Sequence, residues 1–396
     1  MTGPPLAVIA THPTQYHAPV YRWLQTRLGI PVTVLYGSDF SVAGYHDHEF
    51  ATTLAWDTDL VSGYTARFLA RVADGGPREL DQVSPRGIFR ALRDAAPGAI
   101  LLTGTHPWFH QAAFFAARRL GVPLLFRGEA ADHARARGPL AAALRDRLLY
   151  WEYRQCARLL YIGQRALHHF RRLGGREEQL VFSPYCVETA PFQTDEAARA
   201  GLRLDTRRAL GVGDDQRILL FSGKLVARKG PDLLVEAVRG LPSIVRDSSV
   251  VVFLGDGPLA SALEAQVRTP TVISARFVGF QHQTALSAYY HAADLLVLPS
   301  RWGETWGLVV NEALHHGLPC VVSDAVGCAP DLIRPGVTGE HAPAHTAAAL
   351  TEAIVRALPL VGRAEIRAQC RHRVSGYSVE QAAHGIAAAY RSLVTS

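Results

Sequence analysis

Lysine is nearly missing from this 396-residue chain. Of 41 Lys and Arg residues only two, Lys224 and Lys229, are lysine, and there is a single Met. An Ala- and Arg-rich chain of this kind fits GC-rich coding, which accounts for the scarcity but not for both lysines sharing one loop. Cysteine is sparse too. Cys156, Cys186, Cys320, Cys328 and Cys370 form no C-x-x-C pair and have no histidine partners at zinc spacing, so a structural zinc site is not expected and free thiols in a reducing cytoplasm are. No apolar run approaches the ~18–20 residues of a membrane span. The opening residues lack a basic stretch before a short apolar one, so no secretory signal is expected. Charged residues are only 19% of the chain against 48% hydrophobic, which excludes a disordered polymer. There is no nucleic-acid-binding motif and no interleaving of aromatic and basic residues, so no nucleic-acid partner is expected. No internal repeat or low-complexity segment is present.

What is there is length, and a strong α/β alternation. A chain this long suits two domains. Short apolar runs such as LAVIA, VTVLYG, AILLTG and PLLFRG alternate with amphipathic segments at 17–28, 110–120 and 139–158. A polar, poorly periodic stretch, CVETAPFQTDEAARAG, reads as a linker. A second series then begins at 217 with RILLFSG, VVVFLG, ARFVGF, DLLVLPS and PCVVSD. Continuous apolar runs of this kind predict buried parallel strands. The expected architecture is two Rossmann-like doubly wound domains, 1–190 and 191–376, facing across a cleft. Ligands of such sheets bind beyond the C-terminal ends of the strands. Residues 118–176 hold 13 Arg against four acids. That segment is either a solvated face or a surface that attracts phosphates or the anionic inner face of a membrane.

Two constellations follow strands of the second series. Gly223 and Lys224 follow RILLFSG directly, and Lys229 ends the same turn before Gly230, Pro231 and an amphipathic helix. Two ammonium groups beside a helix N-terminus make an anion site. In PSRWGETWGLVVNEALHHGLP, Glu304 lies in a glycine-bracketed loop and Glu312, eight residues on, lies over one turn into a helix beginning near Gly307. The two carboxylates can accept hydrogen bonds from sugar hydroxyls.

Together GKLVARKGPDLL, FLGDGP, FVGF, ADLLVLPSRWGETWGLVVNEALHHGLPCVVSDAVG and LIRPGVTGE resemble the C-terminal domain of the retaining, nucleotide-sugar-dependent glycosyltransferases of family 4, which have the GT-B fold. The resemblance implies that Lys224 and Lys229 bind the donor diphosphate, and that Glu312 binds the ribose hydroxyls. It also implies that Glu304 faces the donor sugar, that backbone groups of Thr305, Trp306 and Gly307 meet sugar and phosphate, and that Val278–Gln281 lines the base. The family usually has Arg at the position of Lys224; lysine keeps the charge and loses the bidentate contact. In GT-B folds the final helix crosses back to the first domain, which implies that role for 377–396, a helix with Ser378 as its N-cap.

The first half offers less pattern. Gln15 and His17 follow the first strand and face the cleft. His106 and His110 follow another strand, with Trp108 and Phe109 as an aromatic floor for an acceptor. Arg127 and Glu129 follow a third. Family members often carry a functional histidine there; RGE replaces it, making Glu129 the candidate polar partner of the sugar and Arg127 its orienter. The D-x-D of WDTDL (56–60) matches the metal motif of a different glycosyltransferase fold, and no metal site is expected.

The reading is a cytoplasmic, metal-independent, retaining glycosyltransferase that needs no cofactor beyond its nucleotide sugar. UDP is favoured by analogy. The acceptor is a hydroxyl of a small molecule, a lipid-linked intermediate or a polysaccharide. Catalytic candidates are Glu304, Glu129 and His17. A sugar-nucleotide epimerase, which would convert the donor without an acceptor, and a non-catalytic nucleotide-sugar binding protein are the alternatives.

Overall fold

The computed structural model describes residues 3–47, 52–54, 58–105, 107–129, 132, 138–269 and 273–394. Strands β1 (Leu6–Ala10) and β2 (Val32–Tyr36) precede a small antiparallel hairpin, β3 (Tyr45–Asp47) with β4 (Thr52–Leu54). Then come β5 (Thr65–Phe68), β6 (Ala99–Leu102), β7 (Leu124–Phe126), β8 (Arg158–Tyr161) and β9 (Leu180–Phe182). A second series runs through β10 (Arg217–Ser222), β11 (Ser249–Leu254), β12 (Ala275–Gly279), β13 (Leu295–Leu298), β14 (Cys320–Ser323) and β15 (Gly339–Ala342).

Two parallel sheets result, ordered β5-β2-β1-β6-β7-β8-β9 and β12-β11-β10-β13-β14-β15. In each, the first strand sits mid-sheet and the order reverses beside it, which is the doubly wound arrangement expected from the sequence. The central strands β1, β2, β6, β11, β13 and β14 are buried at every position. That is why they read as unbroken apolar runs: helices cover both faces and no side can be polar.

Some elements escaped the reading. β5 and β15 carry polar or charged residues at edge positions, with little apolar signal. The stretch taken as linker opens a helix, Glu196–Leu210, with Asp195 accepting from Ala198 N–H at 2.7 Å. The cap was in the sequence; the polar outer face hid the period. All five cysteines are buried free thiols. No described helix is long and apolar enough to cross a membrane.

The helix Val379–Val394 does not stay with the second sheet. It packs on the helix Ala18–Thr26 and on β8 and β9. Gly385 permits the approach, since a Cβ there would lie 2.1 Å from the Phe182 carbonyl oxygen. The Ser183 hydroxyl donates to Ala382 O at 2.9 Å. Ser378 Oγ accepts from Gln381 N–H at 3.1 Å and caps the helix.

A second tie joins the halves through one carboxylate. Asp331, buried beside the second sheet, accepts the backbone N–H of Gln164 at 3.0 and 3.2 Å. It thereby caps a helix (Gln164–Arg172) that belongs to the first sheet, and it also accepts from the Tyr377 hydroxyl at 2.9 Å. Burial pushes its carboxyl above the ordinary carboxylate range. Replacing Asp331 with Ala leaves a buried N–H and a phenol unpaired, at a cost of about 1–3 kcal/mol. The expected result is a lower thermal unfolding midpoint. An unchanged midpoint would show that this tie carries no stability.

Candidate functional site

In the second sheet the order reverses between β10 and β13, so the loops after these strands diverge and leave a crevice between them. Both constellations found in the sequence sit there. After β10 the chain runs through Gly223 and Lys224 into a single 3-10 turn, Ala227–Lys229, then Gly230 and the helix Pro231–Arg239. Gly230 has φ +68°, and a Cβ on it would lie 2.3 Å from the Pro299 carbonyl oxygen in the loop after β13. Only glycine lets the two loops touch at that point.

Arg301 then fixes them together. Its guanidinium takes Asp232 in a two-pronged pair at 2.7 and 2.6 Å and donates to Ala227 O at 2.8 Å. Its own N–H donates to Arg228 O at 2.8 Å. The lysine turn is thus held by the loop that carries Glu304. Lys229 donates to Glu304 Oε2, which also accepts from the Ser300 hydroxyl at 3.1 Å. Both bonds end on one oxygen, so Oε1 is committed to neither. The far side of that loop is fixed by backbone bonds, Gly327 N–H to Glu304 O at 3.0 Å and Cys328 N–H to Trp306 O at 2.8 Å.

Glu312 stands on the helix Leu308–His315, which Gly307 opens in a left-handed conformation. It accepts from the Tyr290 hydroxyl at 2.6 Å. Burial pushes its carboxyl up to about 7, against the pull of that hydrogen bond and of Lys229. The cleft has a volume of about 320 Å³. Gly223, Lys224, Lys229, Gln281 and Glu312 line it from one side, and Gln15 and Tyr16 from the other.

Trp306 enters differently. Its side chain is buried, donates from Nε1 to Asn311 at 2.8 Å and packs on Tyr185 and Tyr377. Its side chain therefore lies off the cleft wall.

In the first sheet the reversal lies between β1 and β6. The loop after β1 carries Gln15, Tyr16 and His17. His17 is not on the cleft wall; its ring sits between Tyr21 and Tyr185, edge-on to the latter at 5.8 Å. Burial, the Arg127 guanidinium and His12 lower it to about 3, so the ring is neutral. His110 is buried beside the Thr103 hydroxyl at 3.3 Å, away from that wall. Trp108 is 58% exposed and floors no part of it. His106 lies outside the described residues. So does Asp57 of the D-x-D, while Asp59 accepts the N–H groups of Val61 and Ser62 at 3.0 and 3.1 Å. Among the described residues no group of three or more His, Cys, Asp or Glu is arranged to hold a metal ion.

Arg127 and Glu129 do not pair as expected. Arg127 is buried and turns to Ser183 (3.1 and 2.9 Å) and Pro184 O (2.5 Å), because three acceptors at the end of β9 surround it. Glu129 is exposed and accepts from Tyr185 and from Thr305, the neighbour of Glu304. It therefore reaches across the cleft from the first half to the second.

The sequence reading missed Tyr16, Arg228, Tyr185 and Arg301. Arg228 lines the cleft between the two lysines; three cations in residues 224–229 were visible, but one more arginine carried no contrast. Arg301 and Tyr185 act through partners distant in sequence, which no spacing reveals. Tyr16, half-buried on the cleft wall, has its hydroxyl pushed well above the ordinary range by desolvation and by the charges of Glu312, Glu304 and Glu129.

Comparison with known proteins covers both halves unequally. The family described as "Glycosyl transferases group 1" matches residues 203–373. A D-inositol 3-phosphate glycosyltransferase of Mycobacterium tuberculosis is 34% identical over 207 residues, 50% of this chain and 41% of that protein. The match thus spans under half the length of that relative. Two solved structures share the whole fold. Anabaena HepE in complex with UDP has a TM-score of 0.71 at 17% identity, covering 98% of this chain and 100% of that one. Sucrose-phosphate synthase from Thermosynechococcus elongatus has a TM-score of 0.72 at 20% identity, covering 99% of each.

Because Glu312 is protonated in the folded chain up to about pH 7, its effect on stability has a definite sign. In the unfolded chain it ionises near the ordinary value of about 4.3. Stability is full below that value and is lost as pH rises through the folded value. Glu312→Gln should leave stability unchanged near pH 4 and gain on the order of 3–4 kcal/mol over the native protein at pH 8. Urea unfolding across this range checks it; parallel curves for the two proteins would sink it.

Proposed function

We propose that the protein, whose residues 203–373 match the family described as "Glycosyl transferases group 1", is a retaining, metal-independent glycosyltransferase that moves a sugar from a UDP-sugar to an acceptor hydroxyl. The observation that carries this is the cleft at the strand-order reversal. There Lys224, Arg228 and Lys229 meet the N-terminus of the helix Pro231–Arg239, with Glu312 on the same wall. Fixed cations and a helix N-terminus suit a departing diphosphate. UDP is favoured because structures of this fold have been solved with UDP and with UDP-glucose.

In this reading Glu312 takes the ribose hydroxyls, and the loop 278–281 lines the base. Glu304, through Oε1, positions the sugar while its other oxygen holds Lys229. The bond from the anomeric carbon to the phosphate oxygen breaks as the acceptor oxygen bonds to the same face. The acceptor proton passes to the leaving phosphate, so no strong protein base is needed. Glu129, reaching Thr305, closes the acceptor side. The neutral His17 orients Tyr185 and through it Glu129. Five unpaired thiols fit a reducing compartment, and we place the enzyme in the cytoplasm.

Calorimetry without added metal, using UDP, GDP, dTDP and ADP, tests the donor site. UDP should bind, and Lys229→Ala should weaken it about tenfold to a hundredfold, the worth of one charged hydrogen bond. Equal binding by the variant would remove the main support for the reading. Glu304→Ala should keep nucleotide binding and lose turnover; unchanged steady-state turnover would overturn its role. Turnover should survive a chelator, and loss of activity on chelation that added metal restores would overturn metal independence. Conversion of the donor with no acceptor present would point to an epimerase.

A further inference from the structure

The helix Pro139–Gln155 is apolar on two faces, and the fold covers only one. Leu149 and Tyr153 enter the core. Leu140, Leu144, Leu148 and Trp151, spaced four, four and three apart, share the outer face. Leu140 is 87% and Leu144 72% exposed, and Leu148, Tyr150 and Trp151 are exposed too. An exposed apolar stripe of this kind marks a surface that meets a protein or a membrane. The stripe continues onto the neighbouring helix Trp108–Leu120, where Phe114 and exposed Phe115 meet the Trp151 ring at 5.5 and 6.3 Å. Beyond it lies Phe89 on the helix Ile88–Ala95.

Arginines frame this apolar surface. The three helices hold seven Arg against three acids, Asp94, Asp146 and Glu152. Three of the outer aromatics lie under a guanidinium: Trp151 under Arg118 at 5.6 Å, Tyr150 under Arg154 at 5.6 Å, Phe89 under Arg119 at 6.0 Å. A second copy of this chain would set like charges against each other. A bilayer bearing anionic headgroups accepts both parts, with the leucines and rings in the acyl boundary and the guanidiniums on phosphates.

We infer that the face made by the helices 88–95, 108–120 and 139–155 docks on an anionic membrane surface. Phe126, at the end of the strand that leads to Arg127 and Glu129, packs on Tyr153 of the helix Pro139–Gln155 at 5.4 Å, so the docked helix lies beside the strand end that carries the acceptor-side candidates. A lipid-linked acceptor is the substrate class this favours. That last step rests on the transferase reading; the docking does not.

The test is flotation of the full chain with phosphatidylcholine vesicles, with and without phosphatidylglycerol. The protein should partition at least about tenfold more to the anionic vesicles. Leu140→Gln/Leu144→Gln/Leu148→Gln, and separately Arg118→Gln/Arg147→Gln/Arg154→Gln, should each lose about tenfold of it. All six positions are exposed, and an unchanged thermal midpoint shows that a variant is folded. If the triple leucine variant fails this check, the single Leu144→Gln replaces it, with a smaller loss expected. No partitioning by the native protein, or equal partitioning by the folded leucine variant, overturns the proposal. So does a dimer in sedimentation that the leucine substitutions dissolve. UDP calorimetry on the same samples keeps failure of docking distinct from failure of the donor site.

Discussion

The crevice exists because β10 pairs with β11 on one side and β13 on the other. The chain leaves these neighbours in opposite directions, so nothing fills the space beyond the carboxyl ends of β10 and β13. Everything polar at the site is a response to that gap. The two loops close on one another where Gly230 passes the Pro299 carbonyl, and Arg301 holds them there with a two-pronged ion pair and two backbone bonds. Such a guanidinium is preorganised, so it fixes neighbouring backbone at small entropic cost. Its effect is that Lys229 and Glu304, 75 residues apart in the chain, face one another.

Charge is arranged around this gap with unequal burial. Lys229 and Glu304 neutralise each other at the cleft wall, which makes two desolvated charges tolerable. Glu312, with only a phenol for a direct partner, keeps its proton to about pH 7. Tyr16 reaches the same acids from the opposite half. The first half contributes hydrogen bonds and neutral rings, the second contributes cations. A division of that kind suits a ligand whose negative end is held by one half and whose reacting end meets the other.

The sheets, and the site on the second one, were legible because both are local. Buried parallel strands must be apolar throughout, and the loops that follow them carry the ligand groups, so RILLFSG-K and LPSRWGE announce element and residue together. The first half was less legible for a physical reason. Its functional contacts are long-range: Glu129 finds Tyr185 and Thr305, Arg127 finds Ser183 and Pro184, and neither partnership has a spacing. Edge strands such as β15 were missed because polar side chains there are tolerated by one-sided pairing. Arg228 was missed because arginine is common throughout the chain, so only the lysines stood out.

The crossing of the helix Val379–Val394 sets an order of events during synthesis. The first sheet leaves the ribosome early, yet Val379, Ala382, Ile386 and Tyr390 belong to the same apolar cluster as Leu6, Val8 and Val34. Until that helix emerges, this side of the early sheet lies open. The whole second sheet is made in the interval. The early unit must therefore wait, partly uncovered, while the second sheet is made. Pulse proteolysis of nascent chains stalled before residue 377 would read this directly, and full resistance of the first half at that stage would contradict it.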